Sequence, residues 1–156
     1  MNTELRQLSQ ELLTRPIQGA DLQLLKSHSQ KIRVGASAAI QFKDAQGIII
    51  DRTVREIYKK YPDKLNQYRD CEAKTARDMH LVIGYCVYSL LLDDPDYAKE
   101  RMLYWFRTVL KNYEFGDSFI ADCYTILKSH IAKYLEEQEA VMMNHMVDES
   151  IAIFVS

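Results

Sequence analysis

Apolar residues in this chain recur at helical spacing almost from end to end, and that periodicity restricts the fold to helix packed on helix. Leu5, Leu8 and Leu12 mark a first short stripe, which Pro16 ends. Asp21 is placed to cap a second helix carrying Leu22, Leu25, Ile32, Ala36 and Ala39. Gly47 interrupts it, and Ile50, Val54, Ile57, Tyr58 and Tyr61 continue the stripe to Pro62. Segment 63–70 is a polar connector. The next helix opens at Thr75 and runs through Met79, Val82, Ile83, Cys86 and Leu90. After the turn Asp93-Asp94-Pro95-Asp96 come Met102, Phe106, Val109 and Tyr113, and Gly116-Asp117 breaks and recaps the chain. Phe119, Cys123, Leu127, Ile131 and Tyr134 begin the last helix, which good helix formers carry to about Met146. Roughly thirty residues of helix span about 45 Å, so its end is expected to project beyond the body. Strand-like, β-branched character is confined to 150–156. The expectation is an all-α protein.

A length of 156 residues is that of one domain able to bury a real core. The 47% hydrophobic and 27% charged residues match ordinary globular usage, so disorder is not expected. Net charge is −2 and the densest basic pair is Lys59-Lys60, which leaves no electrostatic footprint for nucleic acid. No basic-then-apolar leader opens the chain, and no apolar run approaches the roughly 20 residues of a membrane span. Cys71, Cys86 and Cys123 lack CxxC spacing, which argues against both a disulfide framework and a zinc site. The expected setting is soluble and cytoplasmic. Cys86 and Cys123 fall on apolar stripes and read as core, whereas Cys71 reads as a partly exposed thiol. Nucleophile–base pairs, glycine-rich phosphate loops and acidic metal clusters are all missing, so no enzyme is expected.

Lys74, Arg77 and Asp78 stand at i, i+3 and i+4, which puts two cations and a carboxylate on one helix face. Thr75-x-x-Asp78 ahead of an apolar run is also a capping box, with Thr75 as N-cap and Asp78 favoured by the helix dipole. Both readings stand at this point.

The stretch Thr75-Ala76-Arg77-Asp78, with what surrounds it, resembles the chromophore-attachment segment of the phycobiliproteins, the bilin-carrying globins of light-harvesting antennae. In that family a bilin-bearing Cys stands two residues before an Arg-Asp pair, and here Thr75 holds the Cys position. The likeness continues through Tyr85 and Tyr88, Asp94-Pro95, Glu100-Arg101-Met102-Leu103, Tyr113-Glu114-Phe115 and Ser118-Phe119-Ile120. It implies a globin-like fold with two N-terminal extension helices and a long C-terminal helix. The divisions would be association helices at 1–30, a globin core at 31–137 and an extension at 138–156, within one domain of 1–156.

What the resemblance implies for chemistry follows from the ligand. A bilin has pyrrole N–H donors along one edge and two propionates, so Asp78 would accept from the nitrogens and Arg77 would pair with a propionate. Lys74 would add a point charge, and Tyr85, Tyr113 and Phe119 would belong to the binding site. Ile120 departs from the Tyr of some members. A hydroxyl at Thr75 cannot form the thioether, so a phycocyanobilin- or biliverdin-like bilin would be held non-covalently. Cys71, one turn earlier, is a remote substitute. The likeness is nearest to the bilin biosynthesis-associated globins, which implies a carrier or sink. A bilin-free assembly or regulatory globin is the alternative, and a light-harvesting subunit a minor one. A haem would need a His that 100–110 does not contain, and His80 alone does not supply it.

Partners are expected at both ends. Leu5, Leu8, Leu12, Leu22 and Leu25 would form an apolar surface for a homo-dimer or a hetero-oligomer with a related globin. The acidic, Met-rich run to Met146, followed by Ile151, Ile153 and Phe154, reads either as a partner-seeking tail or as a cover for the chain's own apolar patch.

Overall fold

The computed structural model describes residues 3–156. Met1 and Asn2, and with them the start of the N-terminal segment read from the sequence, lie outside the described residues. The described residues form helices and no strands: a short α1 (Thr3–Glu11), then α2 (Gly19–Lys60), α3 (Pro62–Leu65) and α4 (Cys71–Leu92). A continuous run of helical backbone follows, made of α5 (Asp96–Ala98), a π-helical turn (Lys99–Leu103) and α6 (Tyr104–Lys111). Two helices of equal length, α7 (Asp117–Tyr134) and α8 (Glu137–Phe154), complete the chain. This is the all-α, globin-like arrangement expected.

Helix α2 differs most from the sequence reading at the N-terminal side. Its 42 residues run unbroken through both the expected boundary near residue 30 and Gly47, a length of about 63 Å. Gly47 does not break it because Phe42, Ile49, Thr53 and Ile57 hold one continuous buried stripe across the site. A lone glycine costs only about 1 kcal/mol in a helix. Asp21 acts inside the first turn rather than as the cap: it accepts the Gln18 backbone N–H at 2.7 Å and is gripped by Arg15 at 2.6 and 2.9 Å. The Arg15 guanidinium holds that carboxyl down at about 2.

Helix α4 packs across α2, and the crossing is close. A Cβ on Gly35 would stand 2.7 Å from the Leu90 carbonyl oxygen, so only glycine lets the two backbones meet there. Two aspartates with left-handed backbone bound α4: Asp70 (φ 58°) before it and Asp93 (φ 45°) after it. Since α4 begins at Cys71, Thr75 lies inside the helix and is not its N-cap. The capping-box reading of Thr75 and Asp78 is therefore overturned. Near the end of α4, the Ser89 hydroxyl accepts the Ala98 N–H at 2.9 Å and ties α4 to the segment after the turn.

The single long C-terminal helix is also corrected. Leu135 and Glu136 are extended, and the chain reverses there to lay α8 back on α7. The freed Glu136 N–H donates to Gln41 on α2 at 2.8 Å. No proline or glycine forces this break. Met143, Val147 and Phe154 become fully buried because of it. At about 1.5–3 kcal/mol for each such side chain, burial outweighs the few helical hydrogen bonds lost. The Met-rich stripe is thus core, and 150–154 is helix, with the Phe154 ring 5.2 Å from Tyr124 and 5.5 Å from Phe106.

Candidate functional site

The N-terminal half of α4 faces the end of α6 and the start of α7, and the non-helical stretch between those two helices folds over the gap. Two small cavities lie there. One, about 60 Å³, reaches toward Met79, Phe119, Ile120, Cys123 and Tyr124. The other, about 40 Å³, reaches toward Tyr58, Tyr68, Cys71, Lys74 and Tyr113. Thr75, Asp78, Leu110 and Phe115 line both.

Thr75 lies on the α2-facing side of α4, where its hydroxyl pairs with the Tyr58 phenol at 2.7 Å. Burial pushes the Tyr58 phenol up to about 12, and Tyr124 is raised well above its ordinary value for the same reason. Both stay neutral donors at physiological pH. Asp78 keeps about a quarter of its side chain in solvent. Arg77 lies outside the cavities, 70% exposed, and folds back so that Nε and Nη2 donate to one Asp78 oxygen at 2.8 and 2.6 Å. The Lys74 ammonium makes no ion pair or hydrogen bond among the described residues.

An aromatic ladder fills the remaining space. Tyr113 stacks on Phe115 (5.8 Å, 24°) and Phe115 on Phe119 (5.1 Å, 27°). Tyr68 meets Tyr113 and Phe115 edge-on, and Tyr61 meets Phe119 the same way. The Tyr68 hydroxyl accepts the Glu114 N–H at 3.2 Å. Beside it, Lys60 and then Tyr61 donate to Asp122 and hold that carboxyl below its usual range.

Five of the seven residues singled out from the sequence line the cavities, Lys74, Thr75, Asp78, Tyr113 and Phe119, and Arg77 lies outside them bonded to Asp78. Tyr85 does not join them, because its ring stacks on Tyr97, 6.3 Å away. Cys71 is buried rather than partly exposed, and its thiol donates to the Tyr68 carbonyl at 3.0 Å. Cys123 and Cys86 are buried as expected, and burial pushes both thiols up to about 12. Tyr58 and Tyr68 were missed as site residues. The periodicity places Tyr58 on an apolar stripe, and Tyr68, the single aromatic in a polar connector, is the signal the sequence offers.

His80 faces away, onto an open groove of about 600 Å³ between α2 and α4 that also carries Asp51, Arg55 and Glu72. No cluster of His, Cys, Asp and Glu fit for a metal occurs among the described residues, and none of their helices is long and apolar enough to cross a membrane.

A carboxylate shared by two aromatic-walled cavities, beside an uncommitted ammonium, is a donor set that fits a flat, N–H-bearing, anionic pigment in kind. In volume the cavities fall well short of the roughly 300 Å³ of a typical ligand site. The phycobilisome protein family matches residues 9–153 of the chain. The match covers nearly the whole chain, including 9–30 and 138–153 of the two expected extensions. No curated protein matches the chain. The chain belongs to the phycobilisome protein family.

Proposed function

We propose that this member of the phycobilisome protein family binds a linear tetrapyrrole of phycocyanobilin or biliverdin type without a covalent bond, as a carrier or sink in bilin metabolism. Family membership makes a bilin the expected ligand. The observation that carries the non-covalent reading is Thr75: the position that bears the thiol in pigment-linked relatives is a hydroxyl, committed to Tyr58. Asp78 offers its carboxylate to pyrrole N–H donors, Lys74 pairs with a propionate, and Arg77 swings from Asp78 to the second propionate. Tyr113 and Phe119 supply flat walls. The bound bilin contributes the chromophore; the chain contributes position, counter-charge and exclusion of water. The role proposed is binding rather than catalysis, in a soluble, cytoplasmic setting.

The test is to mix the protein with biliverdin or phycocyanobilin and pass it over a desalting column. Pigment with a red-shifted band should elute with the chain and be extracted completely by acid denaturation. Elution of colourless protein at ligand concentrations in the tens of micromolar contradicts the proposal.

A bilin-free assembly role is the second reading, favoured by one observation. Leu13 is 85% exposed and Ile17, Leu22 and Leu25 lie open on the N-terminal side, whereas Leu5 and Leu12 are half-buried and Leu8 is buried. That face suits a homo-dimer or pairing with a related globin. Sedimentation of wild type against Leu22→Asp with Leu25→Asp reads it directly: the wild type should be dimeric and the double variant a folded monomer.

A further inference from the structure

We propose that Phe115 sets the size of the site: its ring occupies the place of a flat ligand ring and divides one tetrapyrrole site into two chambers. The proposal rests on the bilin reading above and adds how that site is opened. Of the four residues common to both cavities, Thr75 and Asp78 are fixed on α4 and Leu110 on α6. Phe115 alone sits in the non-helical stretch between α6 and α7. It is the partition least bound to the scaffold.

What holds the ring is other rings. Tyr113 and Phe119 stack against it at 24° and 27°, Tyr68 meets it edge-on at 5.4 Å, and the Lys64 ammonium sits 6.0 Å from its centre. A phenyl group forms no hydrogen bond, so its departure leaves no polar group unpaired. On one side of it the Glu114 N–H donates to the Tyr68 hydroxyl, and on the other the Gly116 carbonyl accepts the Phe119 and Ile120 N–H groups, so the flanking backbone is held while the ring itself is not. When the ring swings out, a flat conjugated ring can take its place between Tyr113 and Phe119, with Asp78 within reach of its N–H edge. With the ring in place each chamber, at about 60 and 40 Å³, is smaller than the roughly 150 Å³ cavity that admits a single benzene. Phe115 therefore excludes small flat molecules and admits only a ligand that can displace it.

The cysteines report on this gate without any pigment. Cys123 lines one chamber, Cys71 the other, and Cys86 lies in neither, beside Ser150 on α8. N-ethylmaleimide labelling of the intact protein, read site by site by peptide mass spectrometry, compares wild type with Phe115→Ala and Phe115→Leu. Loss of the ring that packs on Tyr113, Phe119 and Tyr68 should speed labelling of Cys71 and Cys123 at least roughly tenfold, with Cys86 unchanged. The Leu variant keeps an apolar anchor and guards against misfolding of the Ala variant. Unchanged rates at Cys71 and Cys123 in both variants, with native helical circular dichroism, overturn the gate. Acceleration at all three cysteines in both variants overturns it too, since opening is then global. Biliverdin association rates separate this from the bilin reading. Faster binding by Phe115→Ala supports both; selective thiol acceleration with no pigment bound by any form keeps the gate and removes the bilin; equal rapid binding with unchanged labelling does the reverse.

Discussion

The hydroxyl of Thr75 on α4 lies 2.7 Å from the phenol of Tyr58 on α2, so the residue that stands where a thiol would attach pigment is built into the helix–helix contact. Thr75→Cys exchanges that hydroxyl for a thiol beside Asp78. Addition of the thiol across an exocyclic double bond of phycocyanobilin forms one C–S bond, and the thiol proton ends on the neighbouring carbon. The variant should keep pigment through acid denaturation, whereas wild type should release all of it. The lost Tyr58 bond should lower stability by about 1 kcal/mol. Pigment retained by denatured wild type, on Cys71 for example, would contradict the non-covalent reading.

Asp78→Asn tests the carboxylate. The change preserves shape and removes the charge that faces both cavities. Bilin affinity should fall or the absorbance band shift, while the melting temperature stays close to wild type. Since α4 starts at Cys71, no helix cap is lost, and the roughly 1 kcal/mol expected of a cap substitution should not appear. A clear fall in melting temperature with an unaltered pigment band would return Asp78 to a structural role.

Gly35 and Gly47 lie in one helix and should respond oppositely to alanine. At Gly35 the new methyl group meets the Leu90 carbonyl at 2.7 Å and must push α4 away, at a cost of about 1–3 kcal/mol that exceeds the helix-propensity gain of about 1 kcal/mol. At Gly47 nothing lies within 4 Å, so the propensity gain of about 0.5–1 kcal/mol should be realised. Urea midpoints measure both. A neutral or stabilising Gly35→Ala would mean the crossing relaxes freely.

Local periodicity made the helices readable in the sequence, and the Thr75–Asp78 segment pointed to the part of α4 that lines the two cavities. What escaped was set by distant partners. Gly47 signals a break only if its neighbours are ignored, and Ile49 and Phe42 carry the helix through it. The reversal at Leu135 has no turn residue; it exists because Met143, Val147 and Phe154 find a core to enter. Thr75 met the local rule for an N-cap, yet Asp70 in left-handed backbone starts the helix five residues earlier. Tyr58 joins the site through a contact 17 residues away in sequence, which no single-helix pattern encodes.

The C-terminal helix supplies the last prediction. Val147, Ser150 and Phe154 are fully buried and Met146 nearly so, with Ser150 donating to the Met146 carbonyl at 2.9 Å. Removing everything after Asn144 takes these from the core, and Val147 and Phe154 alone account for about 3–6 kcal/mol. Against a total stability of about 5–15 kcal/mol, the truncated chain should unfold or aggregate rather than persist as a folded body without a tail. A milder pair of substitutions separates core from surface on the same helix. Phe154→Ala removes a ring packed on Phe106 and Tyr124 and should cost about 3–5 kcal/mol. Val141→Asp, at a side chain 66% exposed, should stay within about 0.5 kcal/mol of wild type. If Phe154→Ala leaves the urea midpoint in place while lowering assembly size in sedimentation, α8 serves partners instead of the core.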